Sequence, residues 1–303
     1  MGKFSHMRIT VIGESNIDIA VKRHGDSLQG GCTPAEIRFH HGGVARNIAH
    51  NLRLLGQEVH LMTVFGGDDL ASQMMQDCLD MGIDLSLSTR FKNEKSPIFL
   101  SFNDKTGNML SAVSDIALNQ RMDLEWLKDK MDEINRSDLV VADTLLTAEA
   151  LRHLIDSCEA PLYIDTVSPK RALVLAEALA GSRKKSFHAL KCNEAEAQSM
   201  TGEKNVKDSA KILNYNGIKE VFVTSGENGV LYSTEGHSEW FASLPAHVVD
   251  VVGAGDAFLS GIVYANALGI NGLPSVTLGL KAAKSALETP EPCNGAIADY
   301  FKE

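Results

Sequence analysis

The strongest constraint on the fold is a repeated alternation of short β-branched runs with amphipathic segments, joined by brief turns. Arg8–Gly13 (RITVIG) reads as a buried strand. Val44–Leu55 follows, apolar at Val44, Ile48, Leu52 and Leu55 and stopped by Gly56, which is helical spacing with a helix-ending glycine. The cycle repeats with strand Glu58–Phe65 and helix Asp69–Met81, then strand Asp138–Ala142 and helix Thr147–Cys158. Strand Leu162–Asp165 leads to helix Arg171–Leu179, and strand Phe187–Lys191 to helices Glu194–Met200 and Val206–Tyr215. Strand Glu220–Thr224 and the helices Ala257–Leu268 and Pro274–Leu287 complete the series. Such a succession predicts an α/β fold, a doubly wound and mostly parallel sheet with helices on both faces. Residues 19–39 and 91–113 break the rhythm. The second stretch holds Ile98–Asn103, the turn Asp104–Gly107 (DKTG) and Asn108–Val113, which is hairpin chemistry. Together they are expected to form a small second β layer.

With 303 residues the chain suits one large domain, expected over residues 7–303, with residues 1–7 as a short tail or expression remnant. Lys plus Arg is 29 and Asp plus Glu is 39, a net charge of −10. That balance argues against a nucleic-acid partner, which needs a basic face. No apolar run approaches the roughly 20 residues of a membrane span, and the N-terminus lacks the apolar core of a secretory signal. The five cysteines (32, 78, 158, 192 and 293) are odd in number and form no C-x-x-C, so free thiols in a cytoplasmic setting are expected.

Ligands of open α/β sheets bind beyond the carboxyl ends of the strands. The P-loop pattern is absent from those junctions, and Gly253-x-Gly255 is followed three residues on by Phe258, so the dinucleotide fingerprint fails. Asp250–Asp256 (DVVGAGD) runs straight into a helix. Gly253, Ala254 and Gly255 would let backbone N–H groups approach an anion at the positive helix end. Asp256 either caps that helix or serves as the carboxylate that phosphoryl transfer requires. Gly42–Gly43 is either a tight turn or a place where a ligand meets the backbone, with Asn47 one turn further on. Asn16 and Asp18 are either Asx-turn residues or hydroxyl binders.

With these residues in view, the chain resembles the ribokinase-like (PfkB) family of sugar and nucleoside kinases, over essentially Met7 to the C-terminus. The resemblance rests on Asn16–Ile17–Asp18, on Gly42–Gly43-x-x-x-Asn47 followed by Gly67–Asp68, and on Asn193-x-x-Glu196. It also rests on Thr224–Ser225–Gly226-x-x-Gly229 and on Asp250-x-x-Gly253–Ala254–Gly255–Asp256, all in the family's order. It implies ATP and Mg²⁺ as cofactors, Asp256 as the catalytic base, and Gly253, Ala254 and Gly255 as an anion hole. Asn193 and Glu196 would act on Mg²⁺ and phosphates through water. Thr224, Gly226 and Gly229 would line the nucleotide, and Ala282, Ala283 and Ser285 would enclose adenine. Asn16, Asp18, Gly42, Gly43 and Asn47 would hold sugar hydroxyls, under a β-lid built from the two irregular stretches. Val251–Val252 depart from the Thr that often follows Asp250 in the family, which weakens a K⁺ site at Asp250. Asp143 stands where some relatives place a carboxylate on the sugar, and a turn or helix-capping role reads equally well.

Within the family, GGVARNIAHNLRLLG (Gly42–Gly56), DTVS (Asp165–Ser168) and Lys95–Asp115 are most similar to the pseudouridine kinases. That implies transfer to a 5′-hydroxyl, with Ser168 and Lys170 near the base, although an exposed lysine is the ordinary alternative. Another sugar or nucleoside kinase is the alternative within the class, and a binding module that lost its chemistry the alternative outside it. Free edges on a lid favour a lid-to-lid homodimer, with a monomer as the alternative.

Overall fold

Eight strands form one sheet in the order His237–Phe241, Val230–Thr234, Ile218–Thr224, Phe187–Asn193, Leu162–Asp165, Leu139–Asp143, Arg8–Ile12 and Glu58–Met62. This is the arrangement in a computed structural model that describes residues 7–25, 32–105 and 109–302. The strands from Ile218–Thr224 through Glu58–Met62 pair in parallel, and the first two in the order are antiparallel. Alternation within a strand sends successive side chains to opposite faces. Val140 and Ala142 enter one core cluster, while Leu139 and Val141 enter the other. Both faces are therefore covered, as the continuous apolar strands require. Chain order runs outward in both directions from Arg8–Ile12, which opens a crevice at its carboxyl end.

A second sheet has the order Ala35–Gly42, Asn16–Arg23, Ile98–Asn103 and Met109–Asp115. The strand Asn16–Arg23 begins earlier than its composition predicts, because Asn16 and Asp18 are poor strand formers that pair nonetheless with Gly42 and His40. Phe91, expected in this layer, packs instead against the main core. Of the expected DKTG turn, Thr106 and Gly107 lie outside the described residues, as does Asn108. On the outer face Ile37, Phe39 and Val113 are 56%, 64% and 61% exposed.

The antiparallel pair Val230–Thr234 and His237–Phe241 has no counterpart in the sequence reading. Its outer strand is polar and exposed, so it carries no apolar pattern. Helices Leu124–Lys128 and Met131–Ile134 are too short to show a period. The late helix spans Ala254–Ala267 and so starts three residues before the predicted Ala257. Among the described residues no helix is long and apolar enough to cross a membrane.

Candidate active site

The turn before helix Ala254–Ala267 begins with Asp250, whose Oδ1 accepts the Val252 amide at 3.0 Å. Gly253 then takes φ 80°, and a Cβ there would fall on the Pro292 carbonyl, so the position demands glycine twice over. Gly253 is the N-cap and makes no side-chain cap bond. The Ala254 amide reaches back to the Val251 carbonyl at 3.4 Å, while the Gly255 and Asp256 amides have no acceptor among the described residues and are left for an outside one. Asp256 is not the cap. It lies two residues inside the helix start, buried, and its Oδ2 accepts the Asn47 Nδ2 at 2.9 Å. Burial, and then the Asp165 charge, push its carboxyl up to about 7 against the pull of Lys191 and Asn47.

Lys191 lies two residues before the end of the buried strand Phe187–Asn193, beside the same turn. Its Nζ lies 3.0 Å from Asp165 Oδ2, and the two residues are register partners on adjacent strands. A Cβ on Gly255 would lie 2.7 Å from that Nζ, so glycine is what lets the ammonium reach the anion turn. Burial alone would lower the Lys191 pKa. The carboxylates Asp165, Glu196 and Asp256 outweigh it and hold the amine above its ordinary value. Sequence reasoning does not single out Lys191 as a site residue. The available signal was a lysine at the end of an otherwise apolar strand, two residues before Asn193.

On the other side of the crevice, Asn16 Nδ2 donates to Asp18 Oδ1 at 2.8 Å. Both residues sit in a paired strand, which removes the Asx-turn alternative. A Cβ on Gly42 would fall on the Asp18 carboxylate, so this glycine makes room for a neighbouring side chain. Gly43 packs against the Glu14 backbone in the same way. Burial raises the Asp18 carboxyl to about 6, opposed by Asn16, His40 and Arg46. Its charge acts in turn on Asp256, which joins the two sides of the crevice.

Four expected contributors, Asp143, Ser168, Ala282 and Ser285, have partners within the fold. Asp143 is buried, and its two oxygens accept the Glu14 and Leu145 amides at 2.7 and 2.8 Å, the turn role rather than a free carboxylate. Ser168 caps helix Pro169–Gly181, accepting the Arg171 amide, and Lys170 is exposed. Ala282 and Ser285 are fully buried; Gly261 of the preceding helix packs onto Ala282, and Ser285 bonds back to the Ala282 carbonyl. They serve helix packing, which leaves Ala283, partly exposed, as the member of that trio able to meet a ligand.

Asn193 and Glu196 form a reciprocal capping box at helix Glu194–Thr201. Glu196 Oε2 also accepts the Thr166 hydroxyl at 2.7 Å, and Oε1 accepts the Asn193 amide at 2.8 Å. A carboxylate so engaged suits contact with an ion through water rather than direct ligation. Among the described residues there is no group of three or more His, Cys, Asp or Glu that could hold a metal. The donor set therefore fits an ion that keeps its waters and is held largely by phosphate oxygens, the habit of Mg²⁺. Thr224 hydroxyl donates to the Cys192 carbonyl at 3.3 Å, Gly226 (φ 54°) faces open space, and Gly229 packs on Phe241.

The chain matches the pfkB family carbohydrate kinase model over residues 7–298. It is 30% identical over 261 residues to pseudouridine kinase of Escherichia coli, covering 84% of this chain and 82% of the relative. It is 24% identical to ribokinase of Staphylococcus aureus, covering 84% and 85%. A carbohydrate kinase from Agrobacterium tumefaciens superimposes with a TM-score of 0.83 at 27% identity, covering 97% and 96%. Ribokinase from Thermotoga maritima shares the fold with a TM-score of 0.86 at 22% identity, covering 98% and 100%. A glycine-bearing turn at a helix start, a buried carboxylate beside it and a match along nearly the whole chain lead to one conclusion: this protein is a kinase belonging to the pfkB family of carbohydrate kinases.

Proposed function

We propose that this kinase phosphorylates the hydroxymethyl (5′) group of a nucleoside, pseudouridine first, with Asp256 as general base. A kinase of this family uses ATP and a divalent metal. The observation that carries the base assignment is Asp256 itself, buried beside the glycine turn and oriented by Asn47, with burial and the Asp165 charge pushing its carboxyl up. Asp256 takes the proton of the attacking hydroxyl while Asn16, Asp18 and Asn47 hold the acceptor. Lys191 and the amides of Gly253, Ala254 and Gly255 stabilise the charge on the transferring group. The divalent ion, when bound, neutralises phosphate charge, and Asn193 and Glu196 contact its waters. Thr224, Gly226, Gly229 and Ala283 border the nucleotide. A K⁺ ion near Asp250 would rely on backbone carbonyls, since Val251 and Val252 offer no hydroxyl.

Pseudouridine is favoured by the E. coli relative and by the Gly42–Gly56, Asp165–Ser168 and Lys95–Asp115 stretches. A coupled ADP-release assay over pseudouridine, uridine, ribose, adenosine and fructose phosphates tests it. The expected result is the highest kcat/KM on pseudouridine; turnover of ribose with none of pseudouridine overturns it.

The small sheet acts as a lid that keeps water from the transferring group. Its exposed apolar outer face, with Ile37, Phe39 and Val113, is what a second copy of the chain would cover. Light scattering should give a dimer mass for the native chain and a monomer mass for Phe39→Asp. A native monomer sinks the lid-to-lid pairing.

A further inference from the structure

Three buried asparagines along the crevice share one pattern. Asn47 donates its amide to Asp256 at 2.9 Å, Asn16 to Asp18 at 2.8 Å, and Asn119 to Glu14 at 2.7 Å. Each is at most 4% exposed, and in each the carbonyl Oδ1 has no partner. A buried acceptor left unpaired is costly, so three of them beside three carboxylates mark places where an outside molecule supplies donors. The first pair faces the reacting hydroxyl and the second the ring hydroxyls in the function proposed above. The third pair has no assignment there.

Glu14 lies in the crease between the two sheets, on the link from Arg8–Ile12 to Asn16–Arg23. Its amide is fixed by Asp143, and its carbonyl lies under Gly43. The Asn119 amide is the hydrogen bond described for its carboxylate, which has room for about three more. Burial and then the Asp143 charge raise its carboxyl to about 7, with Asp18 adding to the rise and Asn119 and Arg171 opposing it. The Arg171 Nε beside this group is also buried and unpaired. Asp18 acts electrostatically on both Glu14 and Asp256, so it links the two ends of the crevice.

We infer that Glu14, held by Asn119, is a specificity-determining residue that binds ring N–H groups at the end of the acceptor remote from its reacting hydroxyl. This rests on the reading of Asp256 as the reacting end. The Glu14 carboxylate and the Asn119 Oδ1 are both acceptors, so together they ask for two donors from one ring. A base linked to ribose through carbon keeps two ring N–H groups, whereas a uracil linked through nitrogen keeps one. A bare sugar offers neither, and a base presenting lone pairs is repelled.

The test compares kcat/KM for pseudouridine, uridine, adenosine and ribose in the native enzyme and in Glu14→Gln, which still accepts the Asn119 bond. The nucleoside-to-ribose ratio, read on the nucleoside the native enzyme prefers, should fall at least tenfold, through KM rather than kcat. Asn119→Asp sets a second carboxyl against Glu14 and should give the same selective loss, which keeps the test decisive if Glu14→Gln folds poorly. An unchanged ratio, or an equal loss on ribose, overturns the Glu14 assignment. Preference for a different nucleoside with a ratio that still falls overturns only the pseudouridine reading. Turnover of ribose alone overturns both.

Discussion

Asp256→Asn should lower kcat by about a thousandfold while the nucleotide still binds. Asparagine preserves the shape and can still meet Asn47, so the loss isolates proton acceptance, which typically contributes 10²–10⁴-fold. Native kcat/KM should rise with pH and level off above about 7, where burial and Asp165 place the Asp256 carboxyl. The sign follows from the role, because only the ionised carboxylate can accept the hydroxyl proton. The variant should lack that limb. Turnover measured by ADP release and nucleotide affinity measured by calorimetry decide the matter. A loss under about tenfold, or a pH limb that survives the substitution, removes Asp256 from the role.

Lys191→Met should cost both stability and rate. The ammonium faces Asp165 at 3.0 Å with both groups buried, and the charges of Glu196 and Asp256 also act on it. Removing one member of a buried pair leaves the other uncompensated, at about 3–5 kcal/mol. Loss of a preorganised charge at the anion turn should lower kcat by about a further hundredfold. The double variant Asp165→Asn with Lys191→Met should regain most of the stability and none of the rate. Urea unfolding and ADP release separate the two effects. A single variant as stable as the native chain and within threefold of its rate would contradict this assignment.

The fold was legible because strand and helix periods alternate with clear stops, and the turn leading to Asp256 because small residues precede a helix there. The Lys191–Asp165 pair was not legible as a unit. Its meaning arises from register between two strands, and nothing local to either residue announces it. Asn193-x-x-Glu196 is ambiguous by chemistry, since the same spacing that suits phosphates also makes a capping box. Ala282 and Ser285 are ambiguous for a related reason: small residues admit a ligand or a neighbouring helix equally well, and Gly261 packs on Ala282. Glu14 was hidden by its partner, which stands more than a hundred residues away in sequence.

The small sheet joins the main body through the links at Glu14, at Gly42–Gly43, before Ile98 and after Asp115. Asn16 and Asp18 ride on that sheet, whereas Asp256, Lys191 and Asp165 are anchored to the body. A swing of a few degrees about these links changes the distance between the two groups and leaves the Lys191–Asp165 pair intact. In the function proposed above, the two layers would act as a lever whose fulcrum is the cleft between them. Grip on the distant part of a long acceptor would then become aim at its near part, and a molecule as short as water would span no arm of the lever and draw nothing shut.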